Sequence, residues 1–485
     1  MTGEFMRRVR RLQWPVIAAL ALACVLVLSA GGERASEPAQ TGTELETRLE
    51  RVLSAIEGTG KVRVMIREES RAEVSAFAPQ QEPSAEGVVI VCEGADDLRV
   101  RLALEQAAQA LLGAYSDEAI PGDKRVNVVV TMLESYSDLS VFDTIRFTDD
   151  PYTDFHALQS ESYHGTLVAD VIGGGTVNSE RSFLTGYVYP HPRYRTPSNS
   201  FVRYFAANGY RTDGAHPGFD WFYSRKTVNE RLGFDRYLFM ENYFNDLTED
   251  EHATDDVFFP AMAQVYAEES ADQAPYFSFS VSYQNHSPYD DSRLLGQEFV
   301  SHEGLNDSAY YQINNYLSGV ADTGKRVAAY VDTFRDDAEP VVLVFFGDHK
   351  PTFGSGNCYY EDMGISAAEN SPEGCWNLYT TPYLIWANDA AKEVLGFDFT
   401  GEGRTISPAF LMAEVFDCCG WEGPAWMQYQ RDVRETIPVM HRAFLFENGG
   451  ELIETPADEA LYQEFLIVEY YMRSKQRPYS FEPAQ

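Results

Sequence analysis

The chain has 485 residues, 44% of them hydrophobic, and a formal net charge of -36. That length leaves room for more than one domain with a sizeable core, and the acidity excludes a nucleic-acid binder, which needs a basic footprint. With 29 tyrosines and 30 phenylalanines the composition is that of a folded protein with an aromatic-lined cleft. Six cysteines without a C-x-x-C pair leave a zinc knuckle unsupported. Cys358 and Cys375 bracket a polar loop and are expected to pair as a disulfide if the domain lies outside the cytoplasm.

In chain order, Arg7, Arg8, Arg10 and Arg11 precede an uncharged, mostly apolar stretch over 14–30. Its length suits either a short membrane span or a signal-peptide core. Either way the arginines stay in the cytoplasm and everything after Gly32 lies outside. Residues 1–32 therefore read as a basic stub with an anchor, and 33–43 as a polar linker.

Leu45, Leu49, Val52, Leu53 and Ile56 share one helical spacing with Val100, Leu104, Ala107, Ala108 and Leu111. Between them 61–67 alternates as a half-buried strand, and 87–92 reads as a second strand. Helix, strand, strand, helix makes a small α+β module over 44–118, without a catalytic constellation. The stretches LERVLSAIEGTGKVRVMI (49–66) and GVVIVCEGADDLRVRLALEQAAQALLG (87–113) resemble the stage III sporulation protein AG family. That family's ring-building module assembles between mother cell and forespore, so the resemblance implies homo-oligomerisation through this part of the chain.

From Arg125 the pattern becomes alternating α/β. Residues 126–133 (VNVVVTML) form a buried strand that stops at Glu134. Gly173-Gly174-Gly175 permit a tight turn, and a helix starting near Thr176 would offer free N–H groups to an anion. Aromatics gather around Arg225 in 216–225, and 277–289 reads as an alternating strand ending at Asn285-His286. Six consecutive apolar residues, 341–346, end at Gly347 and deliver Asp348 and His349 together. One more strand is expected over 381–387, and a helix over 458–471.

Strand ends of one parallel sheet converge on one edge, where ligands bind. Glu134, Asp348 and His349 at strand ends, with the Thr176 oxygen, suit one divalent ion with a reactive position left over. Such a metal would activate the Thr176 hydroxyl and neutralise charge developing on phosphorus. His286 and Arg225 could bind phosphate oxygens or act on the leaving group. Each residue also has a plainer reading: Asp348-His349 as a solvated turn, Thr176 as a helix cap, His286 as a loop histidine, Arg225 and Tyr223 as packing.

The motifs MLESYSDLS (132–140), GGTVNSERSFLTG (174–186), YSRKTVNERLG (223–233), NHSPY (285–289) and Gly347-Asp348-His349 carry a resemblance over 125–440. In that order they resemble the lipoteichoic acid synthase family of the alkaline phosphatase and sulfatase superfamily. The resemblance implies a sheet sandwiched by helices over 119–445, with 446–485 as a C-terminal helical tail. It implies one metal, Mn²⁺ or else Mg²⁺, on Glu134, Thr176, Asp348 and His349. Thr176 would attack phosphatidylglycerol, release diacylglycerol, and pass the glycerophosphoryl group to a glycerol-phosphate or glycolipid acceptor. Arg225, His286 and Tyr223 would contact the head group, Tyr223 standing where the family has Trp. The expected setting is a single-pass protein in a Gram-positive type membrane with its catalytic domain outside. One anchor in place of several membrane helices favours a single transfer or hydrolysis over polymer synthesis. A sulfuric ester hydrolase is the nearest rival, but Thr176-Val177-Asn178-Ser179-Glu180 lacks the C/S-x-P-x-R context it needs. A rival of another class is a structural sporulation-ring component carrying an inactive enzyme domain.

Overall fold

The computed structural model describes residues 62–68, 85–92 and 97–481, apart from 191–193, 271–273, 370, 442–444, 447–451, 454–457 and 476. The apolar stretch 14–30, the linker 33–43 and the helix expected over 45–56 lie outside the described residues. Among the described residues no helix is long and apolar enough to cross a membrane.

Strand β1 (Val62–Glu68) pairs antiparallel with β2 (Ala85–Cys92), as the alternation at 61–67 and the run at 87–92 anticipate. The helix Asp97–Leu112, read above as part of the same module, is tied to the larger domain. Its Ala108 and Leu112 are buried in that domain's core. Gln109 Nε2 donates to the Tyr471 hydroxyl at 3.3 Å, and Lys475 pairs with Glu105 at 2.9 Å. Both partners belong to the helix Glu459–Ser474 or its end, which sinks Tyr462, Phe465 and Val468 into the same core.

The larger domain is built on an eight-stranded sheet. Its strands are β3 (Asn127–Leu133), β4 (Tyr163–Val168), β5 (Arg211–Ala215), β6 (Arg236–Leu238), β7 (Tyr276–Val281), β8 (Val341–Gly347), β9 (Thr380–Ala387) and β10 (Gly401–Ile406). They lie in the order β10-β4-β9-β8-β3-β7-β5-β6. All are parallel except β9, which runs antiparallel to both β8 and β4. The sheet is thus mixed, and the strand expected over 381–387 is the one that reverses. β7 ends at Val281, earlier than the alternation over 277–289 suggests. The chain leaves the sheet there because Ser282 turns to accept the Glu134 amide at 3.0 Å.

Successive strand residues point to opposite faces. Val128, Val130, Met132, Val342, Val344 and Phe346 enter one core, under the helices Thr176–Thr185, Phe201–Ala207, Leu411–Cys419 and Ala425–Thr436. Val129, Leu133, Val341, Leu343 and Phe345 enter the other, under the helices Asp255–Ser270 and Asp307–Asp332. Each large apolar side chain buried this way contributes roughly 1.5–3 kcal/mol, so β3 and β8 have no face to spare for water. Helix layers on both sides follow from the uninterrupted apolar runs.

The expected Cys358–Cys375 disulfide is not formed; both are free thiols. The helix Pro372–Tyr379 turns Cys375 into the core, where its sulfur lies 3.8 Å from His441 Nδ1, while Cys358 stays exposed.

Candidate active site

Loops leaving the C-terminal ends of β3, β4, β5, β7 and β8 carry the polar residues singled out above, at the edge where open α/β sheets bind ligands. The register of the two central strands, Leu133 opposite Gly347, makes Glu134 and Asp348 leave the sheet side by side. This closeness depends on Gly347, because a Cβ there would lie 1.9 Å from the Tyr136 carbonyl oxygen. Ser135 turns the loop at φ 51°, and its amide donates to Asp348 Oδ1 at 2.7 Å. The His349 amide donates to the same oxygen at 2.8 Å.

That leaves Asp348 Oδ2 buried without a hydrogen-bond partner, 3.1 Å from His349 Nε2. His349 Nε2 lies 3.7 Å from Glu134 Oε1. Glu134, Asp348 and His349 are buried, and one ligand-type atom from each falls within 4.8 Å of the others. His349 Nδ1 is 3.0 Å from the Lys350 carbonyl, which only an Nδ1–H can satisfy. The Nε2 lone pair is thereby turned toward the two carboxylates, the tautomer a metal ligand needs. Burial, and then the Glu134 charge, push the Asp348 carboxyl up to about 7, with His349 pulling the other way. Two acids and an imidazole held this tightly, with one carboxylate oxygen unpartnered, fit a divalent cation.

Thr176 joins this group as the first residue of its helix. Gly173, Gly174 and Gly175 all take positive φ (61°, 151° and 78°), and Gly175 is the N-cap. The Thr176 hydroxyl donates to Glu134 Oε2 at 3.2 Å and lies 3.5 Å from His349 Nε2. Ser179 Oγ donates to the Asp348 carbonyl at 2.7 Å, and the Gly173 amide to the Lys350 carbonyl at 2.8 Å. Phe183 packs over Phe346 and Phe279 with ring centroids 5.0 and 5.6 Å away. The helix is therefore fixed along its length with its N-terminus aimed at the carboxylates, and its N-cap is Gly175, Thr176 being the first helical residue.

A second group stands beside the first. Arg225 is buried and gives Nε to Glu180 Oε2 at 3.1 Å, with its guanidinium 5.4 Å from the Tyr223 ring centre. Burial opposes its charge, but Glu180, with Tyr237 and Tyr223, together more than offset that and the pKa rises. Tyr223 and Ser224 are both left-handed, at φ 55° and 56°, a strain of the kind that clusters at functional sites. Burial raises the Tyr223 hydroxyl's pKa, with Glu134 and Asp348 adding to it, and the Gly175 amide bonds to it. His286 gives Nδ1 to the Ser287 carbonyl at 2.5 Å and stacks on Tyr283 at 4.9 Å and 3°.

All the residues anticipated for metal and head group thus lie on one edge. Three more were missed or left open: His216, His252 and Tyr283. His216 Nε2 is buried without a partner, and burial, then Arg225, hold its imidazole neutral far below its usual range. His252 stacks on the other face of the Tyr283 group at 3.9 Å and 5°. HPGFDWFYSR shows aromatics around an Arg, but nothing local ties His216 to a loop after β7.

The α/β sheet thus collects Glu134, Asp348, His349 and the Thr176 hydroxyl at the C-terminal ends of its strands. The chain is a member of the sulfatase family, whose model matches residues 126–421. It is 27% identical over 339 residues, 67% of this chain, to a Rhizobium meliloti (strain 1021) protein named for cyclic beta-1,2-glucan modification. The match covers 50% of that protein, so the chain spans about half its length. Among solved structures, the phosphoglycerol transferase GacH of Streptococcus pyogenes, in complex with sn-glycerol-1-phosphate, superposes with a TM-score of 0.59 at 18% identity. That superposition covers 76% of this chain and 92% of the other. The lipoteichoic acid synthase LtaP of Listeria monocytogenes gives 0.55 at 15% identity, covering 76% and 97%. At these identities the likeness is one of fold. The family match begins at residue 126 and lends no support to a sporulation-type module in 44–118.

Proposed function

We propose that the protein is a metal-dependent phosphoglycerol transferase or phosphodiesterase. It would take the head group of a phosphatidylglycerol-type lipid onto Thr176 and then pass it to an acceptor hydroxyl. The observation that carries this reading is the Thr176 hydroxyl, at a helix N-terminus and 3.2 Å from a buried Glu134 carboxylate oxygen. That the fold is shared with a phosphoglycerol transferase and a lipoteichoic acid synthase supports a phosphoglycerol group as the one transferred.

Held by Glu134, Thr176, Asp348 and His349, a divalent ion (Mn²⁺ first, Mg²⁺ second) would supply Lewis-acid stabilisation of charge on the phosphoryl oxygens. The chain's own residues do the rest. Glu134 Oε2 accepts the Thr176 proton as Oγ1 bonds to phosphorus, and passes it to the diacylglycerol oxygen as that P–O bond breaks, which leaves Glu134 ionised again. The helix that starts at Thr176 presents its N-terminal dipole to the phosphate. Arg225, kept in place by Glu180 and Tyr223, supplies fixed positive charge beside it, and His286 offers Nε2, its Nδ1 being taken by Ser287. Such a donor requires the catalytic domain to work at a membrane surface, and the arginines before the apolar stretch 14–30 would put that surface outside the cytoplasm.

The test is head-group release from labelled phosphatidylglycerol vesicles with Mn²⁺, wild type beside Thr176→Ala. Release by the wild type and loss of at least about 10³-fold in the variant, the scale for removing a covalent nucleophile, supports the reading. A folded variant that still turns over at the wild-type rate sinks it.

A further inference from the structure

Trp221 is 67% exposed, unusual for so large an apolar side chain. It lies nearly parallel to Phe219, with ring centroids 5.9 Å apart and 15° between planes. From this exposed end two rows of rings lead inward. In one, Trp221 meets Phe222 at 5.9 Å and Phe222 meets Tyr223 at 4.4 Å, and the Tyr223 hydroxyl bonds to the Gly175 amide next to Thr176. In the other, Phe219 meets His252 at 5.5 Å, His252 stacks on Tyr283 at 3.9 Å, and Tyr283 stacks on His286 at 4.9 Å. Both rows end at the residues assigned above to the head group.

The rim of this platform is acidic. The Asp220 amide donates to both Glu241 oxygens, at 3.3 and 3.1 Å, and the Asp220 carboxylate takes Lys226 Nζ at 3.0 Å. Glu251 is close enough to act on both His252 and Tyr283. Exposed aromatics also enter lipid surfaces, an occupant that the vesicle-binding arm of the experiment separates. A neutral polyhydroxyl ring suits both features: its C–H face lies on the indole, and its hydroxyls donate to the carboxylates. The strained pair Tyr223-Ser224 holds the platform directly beside Arg225.

We infer that Trp221, backed by Phe219 and rimmed by Asp220, Glu241 and Glu251, is the acceptor subsite and takes a neutral pyranose of a glycan. This rests on the transferase reading above and names the acceptor. In the second half of the reaction a sugar hydroxyl oxygen forms the new bond to phosphorus and the P–Oγ1 bond to Thr176 breaks. The hydroxyl's proton returns to Thr176 Oγ1 by way of Glu134.

The experiment uses the full chain with Mn²⁺, vesicles of labelled phosphatidylglycerol, and laminaripentaose as a neutral glucan probe. Label joined to the sugar is measured against label released to water in the same reaction. Binding of the sugar alone is followed separately by isothermal titration calorimetry. The expected result is label on the sugar, with Trp221→Ala lowering both the transfer-to-hydrolysis ratio and the sugar affinity by about tenfold, and Trp221→Phe restoring most of each. An unchanged ratio in Trp221→Ala overturns the inference. So does release of head group with no sugar labelled or bound, which leaves the donor reading standing. A Trp221→Ala protein that loses vesicle binding instead assigns the platform to the membrane and overturns it as well. A wild type that releases no head group removes both readings.

Discussion

Asp348→Asn separates the cost of the site from its purpose. Without metal the folded chain holds Glu134 and Asp348 together in a buried space, and the Asp348 carboxyl rises from 3.8 to about 7. A carboxyl raised in the folded state binds more protons there than in the unfolded chain. The metal-free protein should therefore lose stability as pH climbs from about 4 through 7. At about 1.36 kcal/mol per pH unit, the gap between 3.8 and 7 amounts to about 4 kcal/mol once both states are ionised. Asn keeps the geometry: its carbonyl can still accept the Ser135 and His349 amides, and its NH₂ can donate to His349 Nε2, 3.1 Å away. The buried amide has its own desolvation cost, so we expect Asp348→Asn to stabilise the metal-free protein by about 2–4 kcal/mol at pH 8. With Mn²⁺ the order reverses. A ligand at a hundred times its Kd stabilises the native state by about 2.7 kcal/mol, and the variant, short of one anionic ligand, forfeits most of that. Thermal melts in EDTA and in excess Mn²⁺ should thus cross, the variant melting higher in the first and gaining little in the second. A variant that melts below wild type in EDTA would show that the two carboxylates do not oppose each other. An equal Mn²⁺ gain in both proteins would remove Asp348 from the ligand set.

Three further predictions concern the supports of the site. Glu180→Gln leaves the Arg225 guanidinium buried beside a neutral partner, both positions being 2% exposed; a loss of about 3–5 kcal/mol is expected, and Glu180→Leu with Arg225→Met should recover most of it. Urea unfolding followed by near-ultraviolet dichroism reads this, and a loss under about 1 kcal/mol would mean water reaches the pair. Gly173→Ala puts a Cβ 1.9 Å from Thr352 Cγ2 at φ +61°, so the turn must shift; a loss of about 2 kcal/mol together with a fall in kcat is expected, and unchanged kinetics would detach the turn from Thr176. Asp255 is fully buried and burial pushes its carboxyl up to about 7, so wild-type stability should fall between pH 4 and 7 by an amount absent from Asp255→Asn. Parallel pH profiles for the two proteins would refute that.

Much of the central sheet could be read directly because β3 and β8 are buried on both faces, and a strand with no wet face is a continuous apolar run. The residues that end such runs, Glu134 and Asp348-His349, inherit their position from the strands and were readable with them. The reversal of β9 was not, since TPYLIWA looks the same in either direction. Cys358 and Cys375 misled for a related reason: spacing says nothing of facing, and one turn of helix sends Cys375 inward. Arg225 was visible among its aromatics, but its partner Glu180 lies 45 residues earlier and only the fold joins them.

One helix not anticipated above, Asp307–Asp332, is the one on which the loops depend. It buries Ala309, Ile313, Leu317, Val320, Val327 and Val331 at helical spacing, with Tyr310, Asn314, Tyr316 and Thr323 buried among them. Those polar positions are its contribution. The Tyr316 hydroxyl donates to the Ser135 carbonyl at 2.9 Å and accepts the Ser137 amide at 3.2 Å, fixing the turn that carries Glu134. Two turns farther on, Thr323 Oγ1 accepts Asn285 Nδ2 at 2.9 Å while donating to Asp255 at 2.6 Å, fixing the loop that carries His286. One helix thus fixes both the turn that carries Glu134 and the loop that carries His286. The apolar stripe seats this helix on the core, and the polar positions set between its apolar ones answer the need to satisfy buried loop amides and carbonyls.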